Sequence, residues 1–257
     1  LLGVRGDLKR KSNMGRETFV VPVTWERDMQ PRKGKILWPV VAPKTGRIER
    51  LNPLIFDGSN PAKNQAFRDD FKHGSLNLAW NFVRVPLPNT YSLNENPGHL
   101  RLFTHKNTIS TRKRAHFMGI KQTESDFVFT TKMRFNPSHD ESTAGIAIVQ
   151  KDENYVSFSV RKEADGMLVE VLHNKKKVQT IKAHKLNSYK GEIRFKLVSA
   201  NDTYTFSYAT KGKRYKVLTT TPADLVLFSG FTGAHIGLYA TSNGQDNNDF
   251  SDYDWIN

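Results

Sequence analysis

The side chains that could carry out chemistry are few and scattered. The sequence contains no cysteine, which excludes disulfides, thiolate metal sites and thiol catalysis within it. Phosphate-binding loops, metal-binding histidine pairs at helical spacing and nucleophile elbows are also absent. His235 lies inside an apolar run, where a hydrogen-bonded core histidine is expected more often than a catalytic one. The sequence therefore contains no recognisable self-sufficient catalytic centre.

The tightest carboxylate clusters are Asp69-Asp70 and the pair Asp252 and Asp254. Adjacent residues of a strand point to opposite faces, so Asp69 and Asp70 cannot act as a facing acid and base. One of them could join a C-terminal aspartate in a structural calcium site, because carboxylates and backbone carbonyls suit that ion. Surface exposure or turn capping is the favoured alternative.

The elements that would position such residues are strands. Apolar and polar residues alternate in four segments, namely 127–135, 155–160, 193–197 and 204–208. Turn signals recur about every ten residues between them, including Asp165-Gly166 and Lys175-Lys176-Lys177. Short strands at that spacing predict an all-β sandwich or barrel from Phe67 onward.

Residues 225 to 255 are expected to form the last strand pair. Glycines at 230, 233 and 237 interrupt the first part, and glycine in a strand marks a bulge or a close approach of another group. The closing run, 249–255, alternates with the period of two of a strand. We expect it to complete a sheet that begins far upstream.

The first 50 residues form a separate block. Residues 18–25 and 36–41 are strand candidates, separated by a charged loop. Four turn signals between Gly46 and Asn64 predict a linker, with a second domain beginning near Ala66.

The net charge of the protein is +14, and the basic excess is concentrated in the first fifth. Such a charge suits nucleic acid or acidic polysaccharide, but no nucleic-acid motif accompanies it, so a solvated surface is the favoured interpretation. No apolar run is long enough for a membrane span. The sequence starts inside what reads as a strand, so we expect a piece of a longer protein. The compartment stays unknown; the Asn201-Asp202-Thr203 glycosylation sequon weakly favours an extracellular one.

Two blocks of motifs resemble glycoside hydrolase family 43, of the β-xylosidase and α-L-arabinofuranosidase type. The first block contains Asn13-Met-Gly-Arg-Glu-Thr-Phe19, Pro22-Val-Thr-Trp-Glu26 and Trp38-Pro-Val40. It is similar to the end of the five-bladed β-propeller that forms the catalytic domain of that family. Residues 27–37 look like a loop inserted into this pattern.

The second block resembles the concanavalin A-like domain that follows the propeller. It begins with Phe67-Arg-Asp-Asp-Phe71 and includes Leu78-Ala-Trp-Asn-Phe-Val-Arg84, Gly230-Phe-Thr-Gly-Ala234 and Asp249-Phe-Ser-Asp-Tyr-Asp254. The resemblance implies an all-β fold, a concanavalin A-like β-sandwich or jelly roll preceded by terminal propeller strands. It divides the chain into the last propeller strands at residues 1–50, a linker at 51–65 and the sandwich at 66–257.

The resemblance also implies an inverting glycosidase. In such enzymes an aspartate base activates water, a glutamate acid protonates the leaving oxygen and a second aspartate orients the acid. All three lie upstream of the Gly-Arg-Glu-Thr motif, so no catalytic residue is expected in this chain. Arg16 matches an arginine that reaches sugar hydroxyls, Phe231 matches an aromatic residue at the mouth of the active site, and Glu17 would support Arg16. No metal ligand or cofactor is implied.

Two hypotheses follow for the function. The favoured one is the C-terminal part of an enzyme that cleaves β-xylosides, α-L-arabinofuranosides or both from xylan-type polysaccharides. Its partners are a xylo- or arabino-oligosaccharide and the upstream propeller portion, which a companion chain could supply. The alternative is a non-catalytic, lectin-like carbohydrate-binding module; residues 13–26 discriminate, because such a module has no use for a propeller strand. A nucleic-acid-binding β-domain is the weakest option.

Overall fold

The computed structural model describes residues 2–3, 12–27, 37–49, 66–175, 177–212, 214–228 and 231–257. Strands dominate this part of the chain. They are β1 (Leu2–Gly3), β2 (Glu17–Thr18), β3 (Val23–Arg27), β4 (Leu37–Val41), β5 (Asn81–Phe82), β6 (Tyr91–Ser92), β7 (Leu100–Phe103), β8 (His116–Lys121), β9 (Phe127–Phe135), β10 (Thr143–Lys151), β11 (Asn154–Glu163), β12 (Gly166–Lys175), β13 (Lys177–Lys185), β14 (Glu192–Ala200), β15 (Thr203–Ala209), β16 (Lys216–Pro222), β17 (His235–Thr241) and β18 (Phe250–Ile256).

The helical content of the described residues is two short 3-10 helices, Ile109–Thr111 and Ala223–Val226. Neither these nor any other described helix has the length and apolar character needed to cross a membrane.

Two seven-stranded antiparallel sheets form a β-sandwich, which confirms the predicted fold class. We call sheet I the order β13-β12-β11-β10-β17-β8-β5, and sheet II the order β16-β15-β14-β9-β18-β7-β6. The predicted hairpin at Lys175–Lys177 is confirmed, because these two residues pair where β12 meets β13; residue 176 lies outside the described residues.

The core lies between the two sheets. Phe158 of sheet I packs edge-to-face against Phe195 and Phe206 of sheet II, with ring centroids 4.7 and 5.4 Å apart. The alternation predicted for 127–135 is confirmed, because β9 has those bounds and buries Phe129 and Phe135. Such edge-to-face rings add stabilisation beyond their burial.

The alternation predicted for 155–160 is only half right, because β11 is buried on both faces. Val156 and Phe158 face the main core, while Tyr155 joins a second buried cluster with Phe117 and Tyr239. This cluster covers the outside of sheet I under Ile109 of the first 3-10 helix.

The last two strands do not pair with each other, so the predicted last strand pair is wrong. β17 lies in sheet I between β10 and β8, whereas β18 lies in sheet II between β9 and β7. The segment between them, 242–249, crosses from one sheet to the other. The first strand is also shorter than predicted, since Ala223–Val226 forms a 3-10 helix and the extended run begins only at His235. The closing role of the last strand is confirmed, because β18 pairs with β7 and β9, and Ile256 bridges to Asp69.

The described residues of the N-terminal block form two small two-stranded sheets, β1–β2 and β3–β4. The strand predicted over 18–25 is divided, because β2 ends at Thr18 and β3 begins at Val23, directly after Pro22. Proline has no N–H to donate to a ladder. The strand predicted over 36–41 is observed as β4. The predicted linker, 51–65, and most of the predicted inserted loop lie outside the described residues.

Candidate functional site

Two of the predicted substrate-binding residues, Arg16 and Phe231, lie side by side. The Arg16 backbone N–H donates to the Phe231 carbonyl at 3.2 Å. The guanidinium carbon lies 5.5 Å from the centroid of the Phe231 ring, within the range of a cation–π contact. Both side chains are exposed, and Phe231 is 69% exposed. A planar cation and an aromatic face therefore share one patch of surface, which we call the Arg16–Phe231 patch.

Two glycines allow the backbones on either side of this patch to touch. Gly15 adopts a φ of +72°, which favours glycine, and a Cβ there would lie 2.7 Å from the Thr232 carbonyl carbon. A Cβ on Gly233 would lie 2.7 Å from the Asn13 carbonyl oxygen. The close approach expected at Gly233 is thus confirmed. Gly230, its predicted partner on the other side of Phe231, lies outside the described residues.

A closed ring of hydrogen bonds fastens this junction to the sandwich. The Ala234 N–H donates to the Asn13 carbonyl at 2.6 Å, and the Asn13 side chain donates to the Tyr204 hydroxyl. Tyr204 donates to Gln122 Oε1 at 3.3 Å, and the Gln122 N–H donates to the Ala234 carbonyl at 2.9 Å. Tyr204 is fully buried, and burial raises the pKa of its hydroxyl to about 12, so it stays a neutral donor and acceptor.

Sequence reasoning missed most of this ring. Asn13 belongs to a motif that carries the family resemblance, whereas the alternation over 204–208 indicates only that Tyr204 lies in a strand. A buried tyrosine hydroxyl usually finds a hydrogen-bond partner, which is the signal that could have pointed to it. Gln122 and Gln150, both of which contact the junction, carry no comparable signal.

The alternatives to substrate binding are a structural ion pair for Arg16 and a position in the sandwich core for Phe231. Phe231 is too exposed to be a core residue, so the second alternative is wrong. Within the described part of the chain, no ion pair joins Arg16 to a carboxylate. Glu17 is half-buried and its backbone pairs with Gly3; its supporting role stays a prediction.

The first carboxylate pair is engaged in local capping. Asp69 accepts hydrogen bonds from the Phe71 N–H and the Trp80 indole, each at 2.9 Å. Asp70 accepts from the Lys72 N–H and pairs with the Lys72 ammonium at 3.2 Å. The two carboxylates therefore do not act together, as predicted.

The second carboxylate pair is engaged with cations. Asp252 accepts two hydrogen bonds from the Arg101 guanidinium, at 2.8 and 2.9 Å. These hydrogen bonds raise the pKa of Arg101. Asp254 pairs with Lys132 at 3.0 Å. Across the described residues, no group of three or more histidine, aspartate or glutamate side chains is arranged to hold a metal ion. Calcium binding stays a prediction.

His235 begins β17 and lies half-buried at the edge of a cavity of about 330 Å³, together with Phe117 and Gln150. Burial lowers the pKa of its imidazole, and the charge of Lys121 lowers it further. The side chain lies at the periphery of the sandwich rather than in its core.

Residues 68–257 match a family model described as the β-xylosidase C-terminal concanavalin A-like domain of glycoside hydrolase family 43. The matched range covers most of the chain and nearly coincides with the two-sheet sandwich.

Curated relatives extend the similarity over the N-terminal block. The chain is 30% identical to a non-reducing end α-L-arabinofuranosidase of Bacteroides ovatus over 99% of its length and 47% of the relative. It is 29% identical to a xylosidase/arabinosidase of Butyrivibrio fibrisolvens, over 96% of the chain and 47% of that protein. The chain thus spans about half the length of the curated relatives it matches.

Solved structures agree with these matches. A glycoside hydrolase family 43 protein of the Bacteroides ovatus xyloglucan locus covers 100% of the chain, and the chain covers 49% of it, with a TM-score of 0.82 and 29% identity. A family 43 protein of Bacillus licheniformis covers 94% of the chain, with a TM-score of 0.74 and 26% identity; 46% of its own length is matched.

Proposed function

The chain belongs to the glycoside hydrolase family 43 proteins that carry a C-terminal concanavalin A-like domain, and we propose that it forms the C-terminal part of a β-xylosidase or α-L-arabinofuranosidase. The substrate would be a xylan-type oligosaccharide, cleaved with inversion. Residues 1–50 would be the last strands of the catalytic propeller, 51–65 the linker, and 66–257 the accessory sandwich.

The observation that carries this proposal is the Arg16–Phe231 patch. Guanidinium offers five fixed donors and stays charged, so it suits two neighbouring sugar hydroxyls. An aromatic face can pack on the apolar face of a sugar ring. The hydrogen bond from the Arg16 backbone N–H to the Phe231 carbonyl holds the guanidinium and the aromatic ring side by side. One residue comes from the N-terminal block and the other from the sandwich.

In the proposed enzyme, the catalytic carboxylates and the sugar-binding residues lie in different parts of the protein. A general acid and a general base must lie about 6.5 to 9.5 Å apart to leave room for the attacking water. We assign both carboxylates to the propeller portion of the enzyme outside this chain. Arg16 would hold the sugar in the deepest subsite, and Phe231 would cover the leaving-group side of the pocket.

Exposed apolar side chains on both faces of the β3–β4 hairpin support the propeller assignment. Trp25 pairs with Pro39 and Trp38 pairs with Glu26, so the two tryptophans point to opposite faces. Trp25 of β3 is 65% exposed and Trp38 of β4 is 55% exposed, and Leu37 beside it is exposed as well. Large apolar side chains clustered on one hairpin are unusual on a free surface. A neighbouring propeller blade would cover them, whereas a free-standing carbohydrate-binding module would leave them in water.

The test is Phe231→Ala in the full-length enzyme. Losing an aromatic contact with the sugar of roughly 1 to 2 kcal/mol should lower kcat/KM about 5- to 30-fold. The melting temperature should not change, because Phe231 is largely exposed. A matched control is Phe250→Ala, which removes another partly exposed ring beneath a guanidinium, that of Arg101, on sheet II. Unchanged kinetics for Phe231→Ala would contradict the proposal.

A further inference from the structure

The side chain of Gln150 contacts three separate backbone segments at the Arg16–Phe231 patch. Its Nε2 donates to the Thr232 carbonyl at 2.9 Å and to the Ser12 carbonyl at 3.4 Å. Its Oε1 accepts a short hydrogen bond from the Phe228 N–H. One amide thus uses both of its donors and its acceptor on main-chain groups.

These three contacts bracket the two substrate-binding candidates. Phe228 and Thr232 lie on either side of Phe231 in sequence, so Gln150 holds both described ends of the segment that presents the ring. Ser12 begins the turn that ends at Gly15, whose N–H donates back to the Ser12 carbonyl at 3.2 Å. Arg16 follows that turn directly.

A β-bulge aims Gln150 at this junction. The pairing of β10 with β17 ends at Val149, and the register with β11 shifts between Val149 and Lys151. Gln150 is therefore the extra residue of β10. Bulges re-aim a side chain away from the regular alternation and are common beside active sites.

A glutamine suits this position because its backbone partners include both hydrogen-bond acceptors and a hydrogen-bond donor. Two carbonyl oxygens need a donor, and one N–H needs an acceptor, and a primary amide supplies both from one planar group. A carboxylate would face two carbonyl oxygens without a proton to offer. An apolar side chain of the same length would remove the protein partner of the Thr232 carbonyl and of the Phe228 N–H, and would leave the Ser12 carbonyl with only the Gly15 N–H.

We propose that Gln150 is a positioning residue that fixes the Phe231 ring relative to the Arg16 guanidinium. The inference rests on the proposed function, because it concerns the same substrate-facing patch. Gln150 does not touch the sugar in this proposal. It acts through the backbone at Ser12, Phe228 and Thr232.

The test uses Gln150→Met in the full-length enzyme, because methionine keeps the length and loses the amide. We expect kcat/KM to fall about tenfold, the factor that corresponds to one or two net hydrogen bonds. Gln150→Glu should lose at least as much. The matched control is Gln179→Met on the exposed edge strand β13, where the same chemical change should leave the kinetics unchanged.

A double-mutant cycle separates positioning from a merely structural role. In the Phe231→Ala background, Gln150→Met should cost less than about threefold, because the ring that it positions is already gone. A structural role would instead lower the melting temperature and give effects that add to those of Phe231→Ala. Additive losses would overturn the proposal.

A readout independent of catalysis distinguishes this inference from the proposed function. Amide hydrogen exchange of peptides containing Arg16 and Ala234 should become faster in Gln150→Met and stay unchanged in Gln179→Met. Unchanged exchange in Gln150→Met overturns the positioning role, whatever the kinetics. Unchanged kinetics in Phe231→Ala together with faster exchange in Gln150→Met overturns the proposed use of Phe231, and with it the catalytic part of the Gln150 proposal.

Discussion

At the scale of single residues, the chemistry of the patch depends on the guanidinium of Arg16. Arg16 is exposed, contacts the Phe231 ring and forms no ion pair within the described residues. A guanidinium presents five N–H donors in one plane, which suits a neutral ligand with neighbouring hydroxyls.

Arg16→Ala in the full-length enzyme should lower kcat/KM by roughly 10- to 150-fold, because a hydrogen bond to a charged group contributes about 1.5 to 3 kcal/mol. Arg16→Lys should recover little, since an ammonium cannot reproduce the planar fork. The steady-state kinetics should be accompanied by a melting curve to confirm folding. A kcat/KM within about threefold of the parent would mean that Arg16 is not a substrate ligand.

The sequence predicts a residue of the patch only where that residue stands in a motif that resembles the family. Arg16 and Phe231 stand in short segments that resemble the family, whereas Gln150 and Tyr204 reach the patch only because β10 and β15 are folded next to it. A contact between residues so far apart in sequence has no local pattern. Gln150 is also aimed by a bulge, which strict alternation does not anticipate.

At the scale of elements, Asp249 anchors the start of β18 to the turn between β9 and β10. Its carboxylate accepts hydrogen bonds from the Ser138 N–H and hydroxyl, at 2.9 and 2.7 Å, and from the Ser142 hydroxyl at 2.7 Å. The His139 N–H donates at 3.1 Å. Burial raises the pKa of this carboxyl, but these hydrogen bonds outweigh it and lower the pKa to about 2.

Asp249→Asn should therefore destabilise the protein by roughly 2 kcal/mol at pH 7, because an amide cannot accept all of the hydrogen bonds that hold the carboxylate, and a hydrogen bond to a charged group contributes about 1.5 to 3 kcal/mol. A depressed pKa contributes stability that is present above pH ~4 and is lost as the pH falls through ~2. The difference in unfolding free energy between parent and variant should shrink over that range. Asp246→Asn, in the exposed part of the segment between β17 and β18, should show no such difference. A pH-independent gap for Asp249→Asn would count against the anchor.

Strands with one buried face could be predicted from the sequence, and the others could not. β9 has the predicted bounds because Phe129, Met133 and Phe135 alternate with solvent-facing cations. β11 is buried on both faces, whereas its alternation of apolar and polar residues predicts burial of only one face. The structure differs from the strand predicted from residue 225, because Leu225 and Val226 belong to a 3-10 helix, which suits apolar residues as well as a strand does.

At the scale of the whole molecule, the N-terminal block and the sandwich meet at the Arg16–Phe231 patch. The ring of hydrogen bonds through Tyr204 and the amide of Gln150 join the two across that junction. The exposed tryptophans of β3 and β4 lie in the same block. We infer that the sandwich completes a pocket whose catalytic carboxylates belong to the propeller.

The assignment of the catalytic carboxylates to the propeller is tested most directly by hydrolysis of aryl β-xylosides and aryl α-L-arabinofuranosides. Two purified proteins are compared at equal molarity. One is the full-length enzyme, and the other is the chain of residues 1–257 with its folding confirmed by a cooperative melting curve. We predict turnover of at least one substrate by the full-length enzyme and none by the chain of residues 1–257. Robust turnover by that chain, retained through repeated purification, would contradict the assignment of the catalytic carboxylates to the rest of the enzyme.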